Sequence, residues 1–166
     1  MALHRCQGTV NARGLATIER GSSLLSRFTA SVVGFPKAGT DVPLQVSFQM
    51  KNGGERWTRT FAGESFTSFQ TEGGGQNDRL LSEKFGPFTF GLALVLDSNK
   101  LRLIVRRWSF LGIPLPAFLA PTGDSYEFEE NGRFHFNVEI RQALTGLIVR
   151  YRGWLVVEEH SKARTE

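Results

Sequence analysis

The chain has 166 residues, 40% of them hydrophobic and 22% charged, which excludes a disordered chain and suits one globular domain. Its 20 Lys and Arg against 16 Asp and Glu leave a net charge of +4, too small an excess to require a nucleic-acid partner. One cysteine, Cys6, excludes an internal disulfide and fits a reducing compartment.

The first twenty residues carry Arg5, Arg13, Glu19 and Arg20 and no long apolar stretch, unlike a secretory signal. With no clear period, residues 1–20 are predicted to be a partly ordered leader. No apolar run reaches the ~18 residues of a membrane-spanning helix, so the expected location is cytoplasmic. Ser22 or Ser23 then precedes Leu24, Leu25, Phe28 and Val32, and Gly34 and Pro36 supply a stop. This predicts one short helix over about 22–33, expected to pack on the core as a lid or plug.

From Val42 the period changes to two. Val42, Leu44, Val46, Phe48 and Met50 alternate with polar residues, and Asn52-Gly53-Gly54 turns the chain. Trp57, Arg59 and Phe61 share the next face. Short strands over 66–70 and 80–84 flank a polar, glycine-rich loop over 72–78. Phe88, Phe90, Leu92, Leu94 and Leu96 form a long apolar face, and Leu101, Leu103 and Val105 the next. Segment 108–121 is uncharged and apolar, but Pro114, Pro116 and Pro121 keep it from being a helix. Tyr126 and Phe128 lead through Asn131-Gly132, the strongest hairpin signal in the chain, to Phe134, Phe136, Val138 and Ile140. A last strand spans 147–157, and 158–166 is a charged tail.

About nine strands joined by short turns predict a mainly all-β fold: an antiparallel meander over 21–157 closing into a lipocalin-like barrel, with one short N-terminal helix. Side-chain parity suits a β-sandwich equally, and that alternative stays open.

No common catalytic signature is present. His4, His135 and His160 are far apart, no G-x-S-x-G occurs, and Gly73-Gly74-Gly75 precedes Gln76-Asn77-Asp78, which matches neither a P-loop nor a dinucleotide fingerprint. No catalytic residue, metal or cofactor is assigned.

Arg59 is the most informative residue. A guanidinium on the face of Trp57 and Phe61 must be paired or must bind an anion if that face is interior. Arg107 shares parity with Leu101, Leu103 and Val105, and the candidate partners are Glu55, Glu83 and Glu127. One reading is a structural ion pair near a barrel rim; the other is a cationic group in a lined cavity that takes an acidic head group. Glu127, Glu129 and Glu130 are expected on a solvated strand face, opposite Tyr126 and Phe128. The run Arg106-Arg107-Trp108, followed by Phe110, Leu111, Ile113 and Phe118, suggests weak membrane-surface contact through 108–121, a portal flap, or a loop over one barrel end. Arginine outnumbers lysine 15 to 5, but Glu139 interleaves with Arg141 and Arg150, so a nucleic-acid face is not expected.

Five motifs occur in order: Glu55-Arg56-Trp57-Thr58-Arg59-Thr60-Phe61-Ala62-Gly63, Glu83-Lys84-Phe85-Gly86-Pro87, Gly112-Ile113-Pro114-Leu115-Pro116, Gly132-Arg133-Phe134-His135-Phe136 and Tyr151-Arg152-Gly153-Trp154-Leu155. Together they resemble a bacterial domain-of-unknown-function family, numbered 4166. The resemblance implies a single bacterial module, often found alone or behind a saccharopine-dehydrogenase-like domain, and it carries over no catalytic residue.

The sequence therefore points first to a ligand-binding barrel for a small apolar or amphipathic molecule. Trp57, Phe61, Phe90, Trp108, Tyr151 and Trp154 would line or close the cavity, with Arg59, Arg107, Glu83 and Glu127 as its charged groups. The alternatives are an accessory module docking on a dehydrogenase-like partner, and an enzyme using Arg59 with Glu83 or Glu127; a non-enzymatic role is favoured.

Overall fold

The structure, a computed structural model, describes residues 9–158. Its strands are β1 (Thr9–Arg20), β2 (Gly39–Lys51), β3 (Gly54–Phe61), β4 (Glu64–Glu72), β5 (Leu81–Phe85), β6 (Phe88–Asp97), β7 (Lys100–Phe110), β8 (Ile113–Pro114), β9 (Tyr126–Glu130), β10 (Arg133–Gln142) and β11 (Gly146–Val157). The single α-helix among the described residues, α1 (Leu24–Val33), joins β1 to β2. All pairings are antiparallel. Neighbours in sequence pair in turn except β8 and β9, β1 pairs with β11, and β7 pairs with both β6 and β9. The result is a closed ten-stranded barrel with β8 as an extra strand beside the end of β7. The sandwich alternative falls, because closure leaves no break between two sheets.

Tight turns follow local chemistry. Asn52-Gly53 and Asn131-Gly132 both place two successive residues at positive φ, between 52° and 76°. That geometry matches the twist of a two-residue hairpin and favours Asn-Gly. Strand alternation then sorts the connections. The upper end carries α1, the turns at 62–63 and 86–87, the connection 111–125 and the turn 143–145. The lower end carries the turns at 52–53, 98–99 and 131–132 and the loop 73–80.

The predicted strands account for nine of the ten in the barrel. The tenth is β1, and it corrects the expectation of a leader over 1–20; residues 1–8, and the tail beyond 158, lie outside the described residues. The inward side of β1 is Ala12, Gly14, Ala16 and Ile18, so large apolar side chains do not mark its period. The small residues have a use. A Cβ on Gly14 would stand 1.7 Å from the Trp154 carbonyl oxygen, and one on Gly153 would stand 2.1 Å from that of Leu15. β1 and β11 close the barrel at a separation that only such residues permit.

The helix is present but inverted. Ser23 caps it, accepting from the Ser26 amide at 3.1 Å, and Gly34 ends it at φ 80°. Its apolar side faces solvent: Leu24, Phe28 and Val32 are 83%, 67% and 69% exposed. Ser26 and Ala30 face the barrel instead. A Cβ on Gly21 would lie 2.6 Å from Ser26 Oγ, so the contact has room only for small groups. The plug at the upper end is the residue after the helix cap. Phe35 stacks on Phe85 at 5.6 Å and meets Phe66 edge-on at 6.1 Å. Arg20 holds this segment, donating to the carbonyls of Phe35 and Pro36 at 3.0 Å each.

Candidate functional site

Strand register sets Arg59 opposite Val46 on one side and Phe66 on the other, on the inward face of β3. Its side chain is only 15% exposed. The guanidinium lies 5.0 Å from the Trp57 ring centre and 5.5 Å from that of Phe66, within cation–π range of both. Nη1 donates to Ser68 Oγ at 2.9 Å, and Nη2 stands 3.6 Å from Glu83 Oε1. Gln70 also donates to that carboxylate oxygen, at 3.2 Å. Of the three candidate partners it is Glu83 that meets Arg59. Glu55 instead accepts from Trp57 Nε1 at 3.0 Å.

Tyr151 completes this part of the wall. Its ring meets Phe61 at 5.5 Å and Phe66 at 6.3 Å. Burial pushes its phenol above the usual range; Arg59 pulls it back and Glu83 pushes it further up. The hydroxyl is therefore a neutral group at physiological pH, able to donate.

Phe90 and Trp108 face each other across β6 and β7, on the inner side, and Phe88 stacks on both. Trp108 Nε1 donates to the Pro116 carbonyl at 2.9 Å, tying the proline segment to the upper end. Glu127 also turns inward, opposite Leu101 and Phe136, which corrects its expected place on a solvated face. The reason is register: Phe136 faces in, so its partner does too. Tyr126 and Phe128 turn outward instead, where Phe128 stacks on His135 at 4.9 Å and Lys100 lies 4.3 Å from the Tyr126 ring centre.

Two candidates lie outside the barrel. A bulge lets Arg107 pair with Gly91 while Val105 pairs with Leu92, so Arg107 loses the parity of Leu101, Leu103 and Val105 and is exposed. Trp154 sits between Leu15 and His135 in register, on the face opposite Tyr151 and Leu155, with Arg133 over its ring at 4.6 Å. Sequence reasoning passed over Ser68 and Gln70, although their parity with Phe66 marked them as inward polar residues. Phe35 and Arg20 gave no periodic signal, because their contacts come from a connection.

The interior is filled unevenly. Inward side chains of β1 to β4 and of β11 are largely buried, whereas Phe88, Phe90, Val105, Phe136 and Val138 are only half-buried. Towards the lower end of β6, Leu94 and Leu96 are 48% and 69% exposed although their register continues the inward face. Side chains just fill a barrel of about eight strands; with ten, the described residues fill the β5–β10 side less completely. Outside, a cleft of about 240 Å³ lies between the loop at 74–77 and β7, lined by Asn77, Thr89, Arg106, Arg107 and Ser109. Gly91 allows the loop to lie there, since a Cβ on it would stand 2.6 Å from Asn77 Oδ1.

An up-and-down antiparallel barrel whose inner wall mixes aliphatic side chains and rings and, among the described residues, carries the inward guanidinium of Arg59 is the class of protein that fold and site define. The chain belongs to the family described as a domain of unknown function, DUF4166, whose model matches residues 2–155. No curated protein and no solved structure matches it. No helix among the described residues is long and apolar enough to cross a membrane.

Proposed function

We propose that this domain binds a small apolar or amphipathic ligand inside the barrel, with Arg59 holding an acidic head group. The observation that carries this reading is the seat of Arg59: a guanidinium between two rings whose ion-pair partner among the described residues, Glu83, stands 3.6 Å away, longer than a close charge-assisted bond. An incoming carboxylate would pair with this guanidinium, with Ser68 as a second polar contact. The half-buried rings and aliphatic chains of β6, β7 and β10 supply apolar surface for the rest of the molecule.

Native mass spectrometry of freshly purified protein tests for a retained ligand as added mass. Titration with a fluorescent long-chain carboxylate tests the head-group role. Arg59→Met is expected to weaken binding about tenfold while leaving a matched long-chain alcohol unaffected. Equal affinity of Arg59→Met and wild type for the carboxylate overturns the assignment of Arg59.

A further inference from the structure

We infer that the upper end of the barrel docks on an anionic lipid bilayer, with the outward face of α1 as its main apolar contact. Leu24, Leu25, Phe28 and Val32 form a stripe turned away from the protein. The stripe cannot turn inward without breaking the close contact of Ser26 with Gly21. It continues along the rim. Ser23 Oγ donates to the Thr145 carbonyl in the β10–β11 turn, where Leu144 is exposed, and Thr122 pairs with Arg141 in the neighbouring connection. That connection carries Leu111, Ile113 and Phe118, all exposed. Isolated exposed apolar residues are ordinary, but a run of them along one end of a barrel is not.

Charge selects the occupant. α1 contains Arg27 and no acidic residue. Arg27, Arg106 and Arg107 have no ion pair among the described residues, and the latter two line the cleft in the upper half of β7. The other end is mixed in charge: Glu72 closes β4 and Glu129 and Glu130 close β9 without an ion pair among the described residues, beside the equally unpaired Lys51, Arg56 and Arg79. Among the described residues the upper end carries one unpaired acid, Asp41, near the start of β2. An apolar helix face with free arginines beside it suits the boundary between acyl chains and anionic head groups, and the Arg106–Arg107 cleft would meet a head-group phosphate. This inference does not depend on Arg59 or on any ligand inside the barrel.

The test is co-sedimentation of the full chain with vesicles of phosphatidylcholine alone or mixed with phosphatidylglycerol. Wild type is expected to pellet with the mixed vesicles, to bind the neutral ones more weakly, and to lose binding as salt is raised. Phe28→Asp with Val32→Asp is expected to reduce binding about tenfold or more. Arg106→Ser with Arg107→Ser is expected to narrow the difference between the two vesicles. All four side chains are exposed or part of an open cleft, so an unchanged melting temperature confirms that each variant folds. Met50→Asp, at the lower end, is expected to bind as wild type does. Failure of wild type to pellet with mixed vesicles overturns the inference in favour of a protein partner on this face, and so does undiminished binding by the Phe28 and Val32 variant.

Discussion

Arg59 and Glu83 meet inside the barrel from strands that are not neighbours, β3 and β5, reaching past Ser68 and Gln70 on the β4 strand between them. Both side chains are less than one-fifth exposed, so each charge relies on the other more than a surface pair would. Glu83→Gln is expected to destabilise the fold by about 1–3 kcal/mol by leaving the guanidinium without its counter-charge. Arg59→Met combined with Glu83→Leu is expected to recover most of that loss, because no charge remains to be compensated. Urea unfolding of the single and double variants checks both.

Glu139 on β10 joins three strands on the outer face. It accepts from Arg141 Nε at 2.6 Å and from Arg150 Nε at 2.7 Å, and Arg150 also reaches Glu19 on β1 at 3.1 Å. Burial works to raise the Glu139 pKa, but the bonds from Arg141 and Arg150 outweigh it and hold the carboxyl below its ordinary value of 4.5. A depressed folded-state value means that the stabilisation is complete above the ordinary value and is lost as pH falls through the folded-state one. Glu139→Gln is therefore expected to be less stable than wild type near neutral pH. The gap should narrow in acid, at about pH 3, and urea midpoints at the two pH values measure it. A gap that stays constant would assign the loss to packing.

The seam between β1 and β11 depends on the missing side chain at Gly14. Gly14→Val is expected to cost more than about 3 kcal/mol, since its Cβ meets the Trp154 carbonyl oxygen at 1.7 Å and a paired strand cannot retreat. Gly74→Ala serves as the control. Nothing lies within 4 Å of a Cβ there, and φ is −135°, which alanine adopts freely. Thermal melts should separate the two variants widely.

Trp108 anchors the proline segment by two bonds, from its indole to the Pro116 carbonyl and from the Leu115 amide to its own carbonyl at 3.1 Å. Trp108→Phe removes the first and keeps most of the ring. Amide exchange in 111–120 is expected to quicken about tenfold, with β1 to β4 unchanged. Uniform acceleration over the whole barrel would indicate loss of core packing instead.

Much of this architecture was legible in the chain, and the limits are physical. The alternation of β2, β3 and β10, the Asn131-Gly132 turn, the Ser23 cap and the inward place of Arg59 each depend on a few adjacent residues. The alternation of Leu101, Leu103 and Val105 does not carry on to Arg107, because a single extra residue in a bulge reverses parity downstream and leaves no trace in the pattern before it. Sequence alone favours Tyr126 and Phe128 as inward, because rings are more often buried than carboxylates. The register with Phe136 decides otherwise.

What the sequence determined alone is periodicity: where the chain is extended, where it turns, and that ten residues after Ser23 wind into a helix with one apolar side. What only the tertiary structure decided is which surfaces meet. It made β1 a wall strand through residues too small to announce themselves, turned the apolar side of α1 outward, and brought Glu83 to Arg59. Period is a property of neighbouring dihedrals, whereas the face a strand or helix buries depends on the space left by segments remote in the chain.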